Sequence, residues 1–96
     1  MNKMFDSTYK FNQPIGKWDT SNVTNMNEMF EMNQVFNQDI SGWNTSNVTD
    51  MRCMFNGAES FNQPIGEWDV SNVTNMHSMF RGAIKFNLEN APWYHE

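Results

Sequence analysis

Hydrophobic positions in this 96-residue chain recur at one fixed spacing. Phenylalanine stands at 11, 36, 61 and 86, tryptophan at 18, 43, 68 and 93, and Met-Phe pairs at 29–30, 54–55 and 79–80. The period is 25, and residues 11–35 and 61–85 agree at 16 of 25 positions. Within one period, Val23, Met26, Met29 and Phe30 fall at spacings that place them on one side of a helix. Ser21, Thr24 and Asn25 precede them with short oxygens suited to cap free amides. Gly57 and Gly82 follow two residues after the phenylalanine, where a helix would stop. The preceding half, FNQPIGKW, reads as extended, because Pro14 and Pro64 forbid a helical interior and Phe and Ile suit a pleated surface. Proline also removes a ladder donor, so any strand here is short.

These features predict an α/β repeat solenoid with one short helix and one short parallel strand per 25-residue coil. Helices are expected near 2–6, 22–31, 47–56 and 72–81, and strands near 12–18, 37–43, 62–68 and 87–93. The crossovers are expected to be right-handed, as strand–crossover–strand connections nearly always are. The reading is a single domain, 1–96, of about four coils: a partial repeat 1–10, repeats 11–35, 36–60 and 61–85, and a partial repeat 86–96. A two-turn helix and a few extended residues do not fold alone, so each unit must lean on its neighbours.

The phrases SNVTNM at 21–26, SNVTDM at 46–51 and SNVTNM at 71–76, with their Met-Phe pairs, resemble the 25/26-residue repeat of bacterial BspA-like, leucine-rich-repeat-related surface proteins. That repeat is common in mycoplasma, Listeria and lactobacillus surface lipoproteins. The resemblance covers almost the whole chain. It implies a solenoid fold, a location on the cell surface or outside the cell, and an adhesive or binding role, with no catalytic residue and no defined ligand. The pattern weakens at both ends: the first unit lacks the SNVT lead-in, and the last reads FNLENAPWYHE. Met1 aligns with Met26, Met51 and Met76, so the chain enters the repeat midway. Its opening residues lack the basic-then-apolar order of a secretory leader.

Charge narrows the partners. Eleven acidic against six basic side chains give −5, with no Lys/Arg cluster. Nucleic acid and anionic membrane surfaces attract positive patches, so neither is expected as a partner. Apolar runs of two or three residues insert into no bilayer. Cys53 is the single cysteine, which excludes an internal disulfide and a cysteine metal cluster.

The tryptophan row reads first as core and second as an exposed aromatic ridge suited to sugars or proteins. The methionines read as packing between units. Asparagines at 12, 37, 62 and 87, and at 22, 47 and 72, read as ladders that satisfy neighbouring backbone. Asn22, Asn44, Asn47 and Asn72 also match the glycosylation acceptor pattern, and the bacterial resemblance argues against its use. A calcium turn at Asp19 and Asn22 is weak, since Asn44 replaces the acid in one copy. Cys53 and His77 fall at variable, solvated-looking helix positions, one helical step apart in adjacent coils. No third group orients the imidazole, so no enzyme and no cofactor are expected.

Two functions remain. The first is a non-catalytic module binding a protein or glycan through the ladder Gln13, Gln38 and Gln63, flanked by Lys17 and Glu67. The second is a self-assembling unit forming homo-oligomers through open ends at Met1, Met4 and Phe5 and at Trp93 and Tyr94.

Overall fold

A computed structural model of the chain describes residues 3–5 and 11–95. The chain stacks its repeats as flat layers, but the layers are made of turns. Among the described residues there is one short 3-10 helix, Leu88–Asn90, and two isolated parallel bridges, Asn25 to Asp50 and Asp50 to Asn75. The expected α/β solenoid, with a helix and a strand in every coil, is therefore incorrect. With no strand–crossover–strand unit among the described residues, the handedness rule behind the right-handed expectation has nothing to act on there.

The physical reason lies in where the backbone amides go. A helix would send each amide four residues back along its own turn. In the predicted helix at 22–31, alternate amides leave the layer instead. Met26, Glu28, Phe30 and Met32 donate to the carbonyls of Asp50, Arg52, Met54 and Asn56 in the next layer, at 2.7–2.9 Å. The amides between them, from Met29, Glu31 and Asn33, close three-residue turns onto Met26, Glu28 and Phe30. The next layer repeats the pattern, with Met51, Cys53, Phe55 and Gly57 donating to Asn75, His77, Met79 and Arg81. Below, Lys3 and Phe5 donate to Asn27 and Met29.

Such consecutive turns need a left-handed residue at the third position, as type II turns do. Glu28, Met32, Cys53, Gly57, Ser78 and Gly82 all have φ between 55° and 76°. Gly57 and Gly82, which read as helix stops, are instead the glycine copies of a left-handed position that Met32 fills in the layer before. The apolar spacing still works, because these turns also return Met26, Met29 and Phe30 to one side, all three with no exposed surface.

The predicted strands fail for a different reason. Side chains intercept the bonds a strand would exchange. The amides of Asn37, Asn62 and Asn87 donate to the Oδ1 atoms of Asn12, Asn37 and Asn62, at 2.9–3.0 Å. Gln38 and Gln63 donate Nε2 to the carbonyls of Asn12 and Asn37. The asparagine row thus supplies an acceptor beside a segment in which proline removes a donor at 14 and 64.

The core is three aromatic columns running through the layers. Phe5, Phe30, Phe55 and Phe80 stack at 5.5–5.6 Å between ring centroids. Phe11, Phe36, Phe61 and Phe86 stack at 5.7–6.0 Å. Trp43, Trp68 and Trp93 stack at 6.4 Å. A turn closed by Trp18 onto Ile15, and by its copies Trp43 onto Ile40 and Trp68 onto Ile65, brings the indole back toward the isoleucine side. Trp43 and Trp68 are buried, and each donates its indole N–H to the carbonyl of the isoleucine one layer back, Ile15 and Ile40. Trp18, in the first full layer, is 40% exposed.

Candidate functional site

Because inward positions are filled by the columns, anything that meets a ligand lies on the rim of a layer. The rim segment before each tryptophan is shaped by proline, glycine and short polar residues, and it does not pack flush with the next layer. Pro14, Gly16, Lys17, Gln38, Asp39 and Gly42 line an open depression of about 670 Å³ between the first two full layers. Pro64, Gly66, Glu67, Glu89, Asn90 and Pro92 line a smaller one of about 300 Å³ on the same rim. Gly16 is required here by closeness: a Cβ on it would collide with the Asp39 carbonyl oxygen.

Lys17 and Gln38 both line the larger depression, and Glu67 lines the smaller. Gln13 is exposed beside Pro14. Gln63 is half-buried and lines neither depression. The glutamine row is less free than its sequence suggests, since Gln38 and Gln63 each spend their amide nitrogen on the preceding asparagine's carbonyl and Oδ1. Asp39 and Gly42, which the ladder pattern passed over, complete the larger site. The signal for Asp39 was its replacement of the proline found at 14 and 64.

Electrostatically the larger depression carries one cation, Lys17, and one anion, Asp39. The Ser41 hydroxyl, 2.6 Å from Asp39 Oδ1, and then the Ser41 amide hold that carboxyl below the usual carboxylate range. Asp39 is therefore ionised at neutral pH. The same serine-on-carboxylate turn sits at Asp19 with Ser21 and at Asp69 with Ser71, lowering both carboxyls in the same way. Asn44 with Ser46 reproduces the geometry without a charge.

Other candidates fall into structural roles. Cys53 is buried, contrary to the solvated position expected of it, and burial pushes its thiol up against the opposing influence of Arg52. Its amide donates to the His77 carbonyl at 3.0 Å, so the two residues meet through backbone, while the His77 side chain is exposed. A thiol raised by burial is a poor nucleophile. Asn47 and Asn72 donate Nδ2 to the carbonyls of Ser21 and Ser46 at 2.7 Å, so the amide nitrogens of two acceptor-pattern asparagines are already engaged. Lys3 and Arg52 both pair with Glu28 at 3.2 Å, tying three successive layers together. Among the described residues no group of three or more His, Cys, Asp and Glu side chains is placed to hold a metal ion.

The candidate end residues are distributed unevenly. Met4 is half exposed, Phe5 is buried in its column, and Trp93 and Tyr94 are half-buried. Tyr94 meets Phe80 edge-on at 5.0 Å. Met1 lies outside the described residues.

The chain belongs to the family described as Mycoplasma protein of unknown function, DUF285, which matches residues 1–94. No curated protein and no solved structure matches it.

Proposed function

We propose that the chain is a non-catalytic binding module of a bacterial surface protein, taking a protein or glycan segment along the proline- and glycine-lined rim. The observation that carries this reading is the open depression containing Lys17, Gln38 and Asp39. Its lining is more apolar than polar, with Pro14, Gly16 and Gly42 beside one cation and one anion. A site of that kind suits a neutral polar chain such as a sugar or an extended peptide, whose hydroxyls or amides bond the charged groups while its apolar face rests on the apolar lining. The resemblance to BspA-like proteins is what supports a surface location in this reading, and membership of a Mycoplasma family supports a bacterial source.

The test is a glycan array and a panel of extracellular matrix proteins, probed with the native chain and with Lys17→Ala and Gln13→Ala. Neither side chain makes a hydrogen bond or ion pair to another described residue, so both variants should keep the native melting temperature. Bound ligand should be lost with Lys17→Ala. Equal binding by the native chain and both variants would sink the assignment of the rim.

A further inference from the structure

The pair Asn56-Gly57 occurs once in the chain. It falls at the left-handed position that Met32, Gly57 and Gly82 share, with φ of 63°, 74° and 76°. Glu31, Asn56 and Arg81 precede those residues, so only the second full layer sets an asparagine before a left-handed glycine. An asparagine followed by glycine is the pair most open to deamidation. The glycine carries no Cβ to hinder its amide nitrogen from reaching the asparagine side chain.

The fold holds that nitrogen elsewhere. The Gly57 amide donates to the Arg81 carbonyl at 2.7 Å, one of the bonds that join the second and third full layers. A nitrogen engaged as a donor at that distance must leave its acceptor before it can give up its proton and attack. The other end of the same peptide unit is also engaged. The Asn56 carbonyl accepts from the Met32 amide, again at 2.7 Å, so this one unit bridges the layers on both sides of it. The side chain is turned to a neighbour too, with Asn56 Nδ2 donating to Cys53 Sγ at 3.8 Å. Asn56 is half-buried and keeps some access to water.

We propose that Asn56 is a deamidation site gated by the joint between the second and third full layers. When the Gly57–Arg81 bond opens, the Gly57 nitrogen bonds to Asn56 Cγ, its proton leaves with Nδ2 as ammonia, and a succinimide closes. Water then opens the ring at either carbonyl, giving aspartate or isoaspartate at position 56. Water is the only co-reactant. In isoaspartate the chain runs through the side-chain carbon, and the former Asn56 carbonyl becomes a free carboxylate. The acceptor for Met32 and the donor to Arg81 then no longer belong to one peptide unit, so the bridge across three layers is lost. Opening the joint permits the reaction, and the product prevents the joint from closing as before. This site lies apart from the rim and stands without the binding reading.

The native chain is incubated at neutral pH beside a synthetic peptide of residues 50–62, and isoaspartate at 56 is read by mass spectrometry with electron-transfer fragmentation. It should form on the order of a hundredfold more slowly in the folded chain than in the peptide, since only the opened joint reacts. Guanidinium chloride below the unfolding transition should raise the rate in step with hydrogen exchange at the Gly57 amide. Asn37→Ala removes an acceptor for Asn62 and Gln63 in the same joint and makes no bond to Asn56. It should raise the rate severalfold; if it does not fold, the denaturant series decides. The purified isoaspartate chain should melt below the native one, whereas Asn56→Asp, with the same charge on an unaltered backbone, should melt close to it. Equal rates in folded chain and peptide would overturn the gating, and no isoaspartate in the fully unfolded chain would overturn the site. An isoaspartate chain that melts with the native one would overturn the lost bridge.

Discussion

Replacing each tryptophan in turn by phenylalanine separates a core column from an exposed ridge. At Trp68 the substitution removes an indole N–H that donates to the Ile40 carbonyl at 3.1 Å. The carbonyl is not orphaned, because the Trp43 amide also donates to it. The loss is therefore that of one net hydrogen bond, about 1 kcal/mol. Trp68 is 4% exposed, so shrinking the ring also forfeits roughly 40 Å² of buried apolar surface, about 1 kcal/mol at ~25 cal/mol per Å². Parallel stacking on Trp43 and Trp93 is weakened too, by some tenths of a kcal/mol out of the ~0.5–1.5 an aromatic pair contributes. The expected cost of Trp68→Phe is about 2–3 kcal/mol, and that of Trp43→Phe is similar.

Trp18→Phe should cost less than about 1 kcal/mol, since its indole is 40% exposed and its N–H has no described acceptor. Trp93→Phe should fall between, because the native Trp93 donates its indole N–H to the Ile65 carbonyl, a bond the variant loses, but its ring is only half-buried. Urea unfolding, followed by the fluorescence of the remaining tryptophans, gives the ranking from midpoint shifts at constant slope. Four equal costs, or the largest cost at Trp18, would refute the column.

Three further outcomes follow from the turns. Gly82→Ala should destabilise by about 1–2 kcal/mol, because φ is +76°, a left-handed backbone that an L side chain strains; Gly42→Ala, with open space around it, should be neutral or slightly stabilising in the same melts. Asn37→Ala should cost about 0.5–1.5 kcal/mol in urea unfolding, since its Oδ1 accepts from both the Asn62 amide and Gln63 Nε2. The carboxyls of Asp19, Asp39 and Asp69 are lowered from the ordinary 3.8 by Ser21, Ser41 and Ser71. Their turns therefore contribute fully above that value and lose the contribution as pH falls through the lowered one. Melts across that window should show a small acid loss that Asp19→Asn and Asp69→Asn reduce, as Asn44 with Ser46 already holds the same turn uncharged.

The repeat length, the burial of the methionine and phenylalanine rows, and the structural use of the asparagines were legible in the residues. Met29, Phe30, Met54 and Phe55 are all fully buried, as their shared spacing required. The local conformation was not legible. A stripe at spacings of three and four marks a helix only when the amides stay within the segment. Here Phe30 and its neighbours at alternate positions send them to the next layer. Nothing in Glu28, Cys53 or Ser78 announces a left-handed backbone, since none is the glycine or asparagine that usually takes it. One signal was available, because Gly57 and Gly82 share a register with Met32 and mark one left-handed position per layer.

That same choice of bonds governs where function can sit. A helical layer would satisfy most of its own backbone and expose a finished surface. A layer of turns hands about half its amides to one neighbour and offers its carbonyls to the other, so its backbone bonds are completed between layers. The rim is different. There the asparagine Oδ1 atoms and the Gln38 and Gln63 amides already meet the neighbouring backbone, and the proposed binding reading rests on Lys17 and the lining around it. Under the proposed binding reading, substitutions of Lys17 at the rim should therefore leave the bonds between layers intact.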